Sequence, residues 1–113
     1  MHGDKGSLFA QSVYDALRHI PRGKVVTYGQ LARAINCGSS QAVGQALRRN
    51  PHAPEVPCHR VVRAGGYLGG YQGKTQGEPL ERKVSLLRRE GVVFLSDDRV
   101  DLDQSGHTFQ ETV

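Results

Sequence analysis

Three sets of helix breakers, Pro21-Arg22-Gly23, Cys37-Gly38 and Asn50-Pro51, cut the first fifty residues into three short pieces. That spacing limits the fold more than any other feature, because proline cannot continue a helix and glycine readily ends one. Each piece carries apolar residues at helical spacing, yet none is long enough to stay helical by itself in water. The pieces must pack on one another. In SLFAQSVYDALRHI, residues 7–20, Phe9, Val13, Ala16, Leu17 and Ile20 line one face. Lys24 to Val26 read as a short extended piece. Thr27 followed by Gln30 is a capping-box pattern that predicts a second helix over 28–36, with Leu31, Ala32 and Ile35 inward. Ser39 or Ser40 can cap a third helix over 41–49, with Val43, Ala46 and Leu47 inward.

Three short helices with a tight turn between the second and third read as a helix-turn-helix. The outward face of helix three then carries Gln41, Gly44, Gln45 and Arg48, spaced i, i+3, i+4 and i+7. Small uncharged side chains with one arginine suit close backbone approach, as in a minor groove, better than base reading in a major groove. A glycine inside a helix costs about 1 kcal/mol against alanine. Gly44 is therefore either a tolerated surface residue or the mark of a bulky partner, and the pattern alone leaves both open.

Beyond Asn50 the chain changes character. PHAPEVP (51–57) is a proline-rich connection, and GGYLGGYQG (65–73) is glycine-rich. Pro79 suits the first position of a fourth helix over 79–90, with Leu80, Val84 and Leu87 inward and Gly91 ending it. VVFL (92–95) and RVDL (99–102) predict a small terminal hairpin. The expected fold is mainly α: a three-helix, winged-helix-like helix-turn-helix domain with a fourth helix and a C-terminal β-hairpin. Residues 1–113 read as a single domain with its core over about 7–103 and a loose polar tail over 104–113.

Length and charge narrow the function classes. The 113 residues allow one modest core. No apolar run approaches a bilayer span, and the start MHGDKGS has no apolar stretch of the secretory kind. Two cysteines do not make a disulfide framework, which points to a reducing, intracellular, cytoplasmic setting and no membrane. Net charge is +4, a weak hint of an anionic partner. Arg48, Arg49, Arg60 and Arg63 cluster near Cys58; Arg82, Lys83, Arg88 and Arg89 form a second group, and solvated faces account for either.

The stretch VPCHRVV (56–62) sets Cys58 beside His59. A thiol reacts as its thiolate, and a neighbouring base, acting directly or through a water, raises that fraction. A carboxylate behind the histidine would orient it, and Glu90 is one candidate among several. Taken alone, the dipeptide leaves a nucleophile and a small buried residue both possible. Other motifs fail. The GKT at 73–75 lacks the upstream glycine of a phosphate loop, since that position is Leu68. No histidine pairs with another His or Cys at ligand spacing apart from the adjacent Cys58-His59, so no metal and no cofactor are expected.

The blocks IPRGKVVTYGQLA (20–32), QAVGQALRRNP (41–51), PCHRVV (57–62), GGY (69–71) and LLRREGV (86–92), in this order and at these separations, resemble the O6-alkylguanine-DNA alkyltransferases. The likeness is to their C-terminal, DNA-binding and active-site domain; the family's usual N-terminal domain is expected to be absent. The resemblance implies a fold that enters the minor groove and flips the damaged base into a pocket, where the cysteine takes the alkyl group once and keeps it. It implies Cys58 as alkyl acceptor, His59 as base through a water, Glu90 as its orienting partner and Asn50 as holder of the turn before Cys58. Tyr28 would contact the flipped nucleotide, Tyr71 with Gln72 beside it would wall the pocket, and the Cys58 and Val61 carbonyls would receive the guanine amine. Gln41, Gly44, Gln45, Arg48 and Arg60 would meet DNA, with Arg48 and Arg60 on phosphates. The implied partner is double-stranded DNA carrying O6-alkylguanine, bound by a monomer, with other repair proteins as further partners.

Two positions depart from the family pattern. Gln41 stands where an inserted arginine is usual, and Gln72 where serine is frequent. Short alkyltransferase-like proteins of similar length bind alkylated DNA without chemistry and lack the cysteine, which is the alternative reading. This chain keeps Cys58, His59 and Glu90 together. A transcription factor with an incidental cysteine would want base-reading side chains that helix three does not carry.

Overall fold

The structure, a computed structural model, describes residues 4–49, 55–69 and 77–109. Helix α1, Asp4–Arg18, starts three residues before the expected position and ends two before it. Its last turn tightens, with the His19 and Ile20 amides bonding the Ala16 and Leu17 carbonyls at 3.1 and 3.0 Å. Val13, Leu17 and Ile20 are buried as their spacing predicts, and Tyr14 joins them. Helix α2, Tyr28–Ala34, opens with both halves of the capping box: Thr27 Oγ1 accepts from the Gln30 amide, and Gln30 Oε1 from the Thr27 amide. It closes at Asn36, before Cys37-Gly38. Asn36 takes the left-handed φ of 57°, which asparagine tolerates better than most residues, and the Cys37 amide returns to the Ala32 carbonyl at 2.8 Å. Helix α3, Ser40–Arg48, is capped by Ser39, whose Oγ accepts from the Ala42 amide.

The strand β1, Val26–Thr27, pairs in parallel with β2, Val61–Val62, matching Val26 to Val61 and Thr27 to Val62. This short ladder is the wall between two cores. Side chains alternate across a strand, so Val26 and Val61 face the core of α1, α2 and α3, together with Leu31, Val43, Leu47 and Cys58. Val25 and Val62 face a second core with Leu68, Leu87, Val92 and Val100. Each fully buried aliphatic side chain contributes about 1.5–3 kcal/mol. The ladder thus ties the segment after Cys58 to the start of α2.

Helix α4, Glu78–Arg89, carries Pro79 in its first turn, and Gly91, at φ 88°, ends it. Strands β3, Phe94–Ser96, and β4, Arg99–Val100, form the expected antiparallel hairpin. The chain then departs from expectation. Residues 102–105, read as the end of a strand and the start of a loose tail, form a short helix α5, Leu102–Ser105, capped by the Asp101 carboxylate. Ser105 is buried, its carbonyl accepts from the Val25 amide at 2.8 Å, and the His107 amide donates back to the Val25 carbonyl at 2.8 Å. Those two bonds extend β1 with a partner eighty residues away in sequence, a pairing that local pattern does not encode. Among the described residues no helix is long and apolar enough to cross a membrane.

Candidate active site

Pro57 controls how Cys58 enters the fold. At φ −81° and ψ 68° it is the centre of an inverse γ-turn, closed by the Cys58 amide on the Val56 carbonyl at 2.8 Å. The next three residues, Cys58–Arg60, make one 3-10 turn before β2. The turn points Cys58 into the edge of the helical core, where it is 6% exposed, and buries the His59 ring.

Glu90 collects the side chains that follow Cys58. It caps the C-terminus of α4, where aligned peptide dipoles disfavour a carboxylate. Three bonds offset that. His59 Nε2 lies 3.0 Å from Oε2, and Arg60 grips both oxygens, Nε to Oε1 at 2.9 Å and Nη2 to Oε2 at 2.8 Å. Arg60 also donates through Nη1 to the Ile20 carbonyl at 2.8 Å, which anchors the group to the end of α1. Gly23 closes the frame: at φ 88°, a side chain there would bring its Cβ to 2.9 Å from the Glu90 carbonyl oxygen. Burial pushes the Glu90 carboxyl up, but the bonds from Arg60 and His59 overcome it and hold it at about 2.

The imidazole is left in a defined state. Burial pulls the His59 pKa below its ordinary value, and the Glu90 bond only partly opposes this. The ring is neutral near pH 7. An ionised Glu90 accepts a hydrogen bond from Nε2–H, so the lone pair resides on Nδ1. Nδ1 is buried and has no hydrogen-bond partner among the described residues.

The remaining expected residues fall into distinct places. Tyr28 begins α2, half-buried; burial raises its pKa, Arg63 lowers it and Cys58 raises it, so the hydroxyl lies within electrostatic reach of the sulfur. A Cβ at Gly69 would lie 3.4 Å from that hydroxyl. Val61 is buried, and its carbonyl already accepts from Lys83 Nζ at 2.8 Å, leaving its second lone pair. Gln41, Gly44, Gln45 and Arg48 share the outer side of α3, and a Cβ at Gly44 would meet nothing within 4 Å. The fold therefore has no internal need for that glycine. Arg60 does not join this face. Its side chain is 14% exposed and donates to Glu90 and to the Ile20 carbonyl. Asn50, Tyr71 and Gln72 lie outside the described residues.

Two features escaped the sequence reading. Arg60 sits two residues after Cys58, and only the packing of α4 reveals its partner. Lys83, grouped with solvated charges above, is completely buried. Its signal was present, since Lys83 shares the helical face of Leu80, Val84 and Leu87. A cavity of about 280 Å³, lined by Arg22, Glu55, Arg60, Leu86, Arg89 and Glu90, backs onto the carboxylate; Cys58 does not border it. Among the described residues no cluster of three or more His, Cys, Asp or Glu is arranged to hold a metal.

A family model described as the DNA-binding domain of 6-O-methylguanine DNA methyltransferase matches residues 8–92. The methylated-DNA–protein-cysteine methyltransferase of Salmonella typhimurium is 46% identical over 91 residues, 80% of this chain and 50% of that protein. Its namesake in Methanosarcina acetivorans is 47% identical over 88 residues, 77% of this chain and 53% of that one. The chain spans about half the length of these relatives. Among solved structures, Mycobacterium tuberculosis OGT in complex with DNA is similar at a TM-score of 0.66 and 44% identity, covering 74% of this chain and 49% of that one. S. pombe Atl1, in complex with damaged DNA containing O6-carboxymethylguanine, is similar at a TM-score of 0.74 and 29% identity, covering 93% of this chain and 97% of that one.

Proposed function

This chain belongs to the 6-O-methylguanine DNA methyltransferase family, and on that premise we propose that Cys58 accepts an alkyl group from O6-alkylguanine in duplex DNA, once per molecule. The observation that carries this reading is the buried Nδ1 of His59, unpartnered among the described residues, on a ring whose other nitrogen faces Glu90. In the proposed step the thiol proton passes to Nδ1, through a water. The thiolate electron pair forms an S–C bond to the alkyl carbon as the C–O6 bond breaks, and the released purine takes up a proton to become guanine. Glu90 stabilises the imidazolium, and Arg60 keeps Glu90 ionised and aimed. General-base assistance of this kind accelerates a step by about 10²–10⁴-fold.

In this reading the chain corresponds to the C-terminal active-site half of its longer relatives, works as a monomer in a reducing, cytoplasmic compartment, and meets the minor groove through Gln41, Gly44, Gln45 and Arg48. Base flipping into an enclosed site costs a few kcal/mol. Tyr28, the second lone pair of the Val61 carbonyl, and Tyr71 with Gln72 would hold the extruded purine; Asn50 would hold the turn before Cys58. The test is the intact mass of the protein after incubation with duplex DNA containing O6-methylguanine. One methyl in place of the thiol hydrogen is expected, and Cys58→Ala abolishes the gain.

The second reading is lesion binding without transfer. The similarity to Atl1 over nearly the whole of both chains favours it, as does Gln41 in place of the arginine that the family pattern sets there. Tight, lesion-dependent binding with an unchanged mass would select it.

A further inference from the structure

Gln30 makes two connections with one amide. Its Oε1 accepts from the Thr27 amide at 2.8 Å, which completes the capping box of α2. Its Nε2 donates to the His107 carbonyl at 3.3 Å, 77 positions further along the chain. The two bonds demand the same orientation of the side-chain amide, since an N–H needs an acceptor and a carbonyl needs a donor. Thr27 is also the last residue of β1, and Tyr28 is the first of α2. The C-terminal segment therefore reaches the start of the helix that carries Tyr28.

That segment is bonded along its length. The Val25 amide donates to the Ser105 carbonyl and the His107 amide to the Val25 carbonyl, as described above. Lys24 Nζ donates to the Gln104 carbonyl at 2.9 Å, and Ser105 Oγ accepts from the Val93 amide at 2.8 Å. Leu102 packs on the second core and Phe109 on the first, so the segment crosses the wall between them. Gly106 sits at the crossing. A Cβ there would collide with the Leu102 carbonyl oxygen, so a side chain forces the segment off its path.

We infer that residues 101–109 are a positioning element of the site, and that Gln30 is the positioning residue through which they fix Tyr28. The inference rests on the reading that Tyr28 contacts the flipped nucleotide. The first amides of a helix have no partners within it, so the first turn is held only by what caps it. Here the cap is Gln30, and the His107 carbonyl holds Gln30. The Tyr28 hydroxyl lies beside Gly69, at the stem of the glycine-rich loop, where a Cβ would meet it at 3.4 Å. A shift of the first turn of α2 moves that hydroxyl against the loop. The bonds among His59, Arg60 and Glu90 involve neither Gln30 nor the segment, so such a shift leaves them in place.

Two variants separate the clamp from the cap. Gln30→Glu keeps the capping box, which takes glutamate at this position, but loses the donor to His107. Gly106→Ala leaves α2 untouched and displaces the segment. Amide exchange at Thr27 and Gln30 in the free Gly106→Ala chain should be faster by about tenfold or more. Affinity for duplex DNA containing O6-methylguanine should fall about tenfold in each variant, the scale of one lost hydrogen bond. The double variant should lose no more than either alone, because both cut the same connection; a purely electrostatic effect of the new carboxylate would add. Iodoacetamide labelling of Cys58 should keep its parental rate, whereas general loosening of the fold would speed it, since the residue is only 6% exposed. Unchanged exchange, unchanged affinity, additive losses or faster labelling each overturn the inference. If Gly106→Ala does not fold, amide exchange at His107 in Gln30→Glu decides, and an unchanged rate there overturns the clamp. Exchange needs no DNA, so the clamp is decided even where the parent chain binds no lesion, and a lesion-binding chain with unchanged exchange loses the clamp but keeps the proposed function.

Discussion

The relay around Glu90 and the outer face of α3 are built to opposite rules. In the relay, Nε, Nη1 and Nη2 of Arg60 each find an oxygen, and Glu90 receives bonds from two side chains although it caps a helix end that repels it. On α3, Gln41, Gln45 and Arg48 are exposed, and the backbone at Gly44 is left bare. The first region is satisfied within the chain; the second is left open to solvent, and in the proposed function DNA covers it. The contrast teaches where each kind of energy resides. Substitutions in the relay should register in folding and in the chemical step, and those on α3 in binding.

The sharpest way to break this contrast is Glu90→Gln. It keeps the shape but removes the charge that stabilises an imidazolium. The expected loss is about 10²–10⁴-fold in the single-turnover rate of alkyl transfer, with lesion-DNA affinity in a filter-binding or anisotropy assay within a few-fold of the parent. An equal loss of affinity would place Glu90 in the binding machinery instead. Next in size is Arg60→Met, which strips a mostly buried carboxylate of its cation. Unfolding in urea should show a loss of about 3 kcal/mol, and the salt dependence of DNA binding should keep its slope. Arg48→Gln should do the reverse, lowering the slope of log K against log salt by about one phosphate contact at unchanged stability.

Acid should dismantle the relay from the carboxylate outward. Glu90 has a depressed folded pKa of about 2 against an ordinary value of 4.5, so its contribution is present above the ordinary value and is lost as pH falls toward 2. His59 acts in the same direction at higher pH, because its folded pKa is lowered and the unfolded chain binds its proton first. Chemical unfolding measured between pH 7 and 2 should therefore show stability falling in two stages, and Glu90→Gln should flatten the lower one. The smallest effect should come from Gly44→Ala. A helix interior gains about 1 kcal/mol from the exchange, and the open space around position 44 accommodates the methyl. Stability should rise while DNA affinity falls; a rise in both would remove Gly44 from the interface.

The helices were legible because their signals are local. Thr27 and Gln30 name the start of α2 by a side-chain exchange over three residues, and Ser39 does the same for α3. Gly91 marks the end of α4 by the φ it adopts. The site was legible in part through the PCHR block and its resemblance to a known family, which supplied Glu90 as the partner of His59, a contact the structure contains at 3.0 Å. The bonds of Arg60 within the chain were not legible, because nothing near it in sequence names them. Its partners in the fold, Glu90 and the Ile20 carbonyl, are thirty and forty positions away. The polar composition of 104–113 predicts a loose tail, yet Ser105 and His107 bond the Val25 backbone on both sides.

Periodicity, capping chemistry and the cysteine–histidine dipeptide were settled by the chain alone, since each depends on neighbours within a turn or two. Which charges are buried was decided only in three dimensions. Lys83 and Arg60 belong to residue types that normally stay in water, and a cation leaves water only where distant carbonyls and carboxylates converge on it. That convergence is a property of packed elements: α4 against β2 in one case, α1 and α4 against the 3-10 turn in the other. No stretch of sequence holds it by itself.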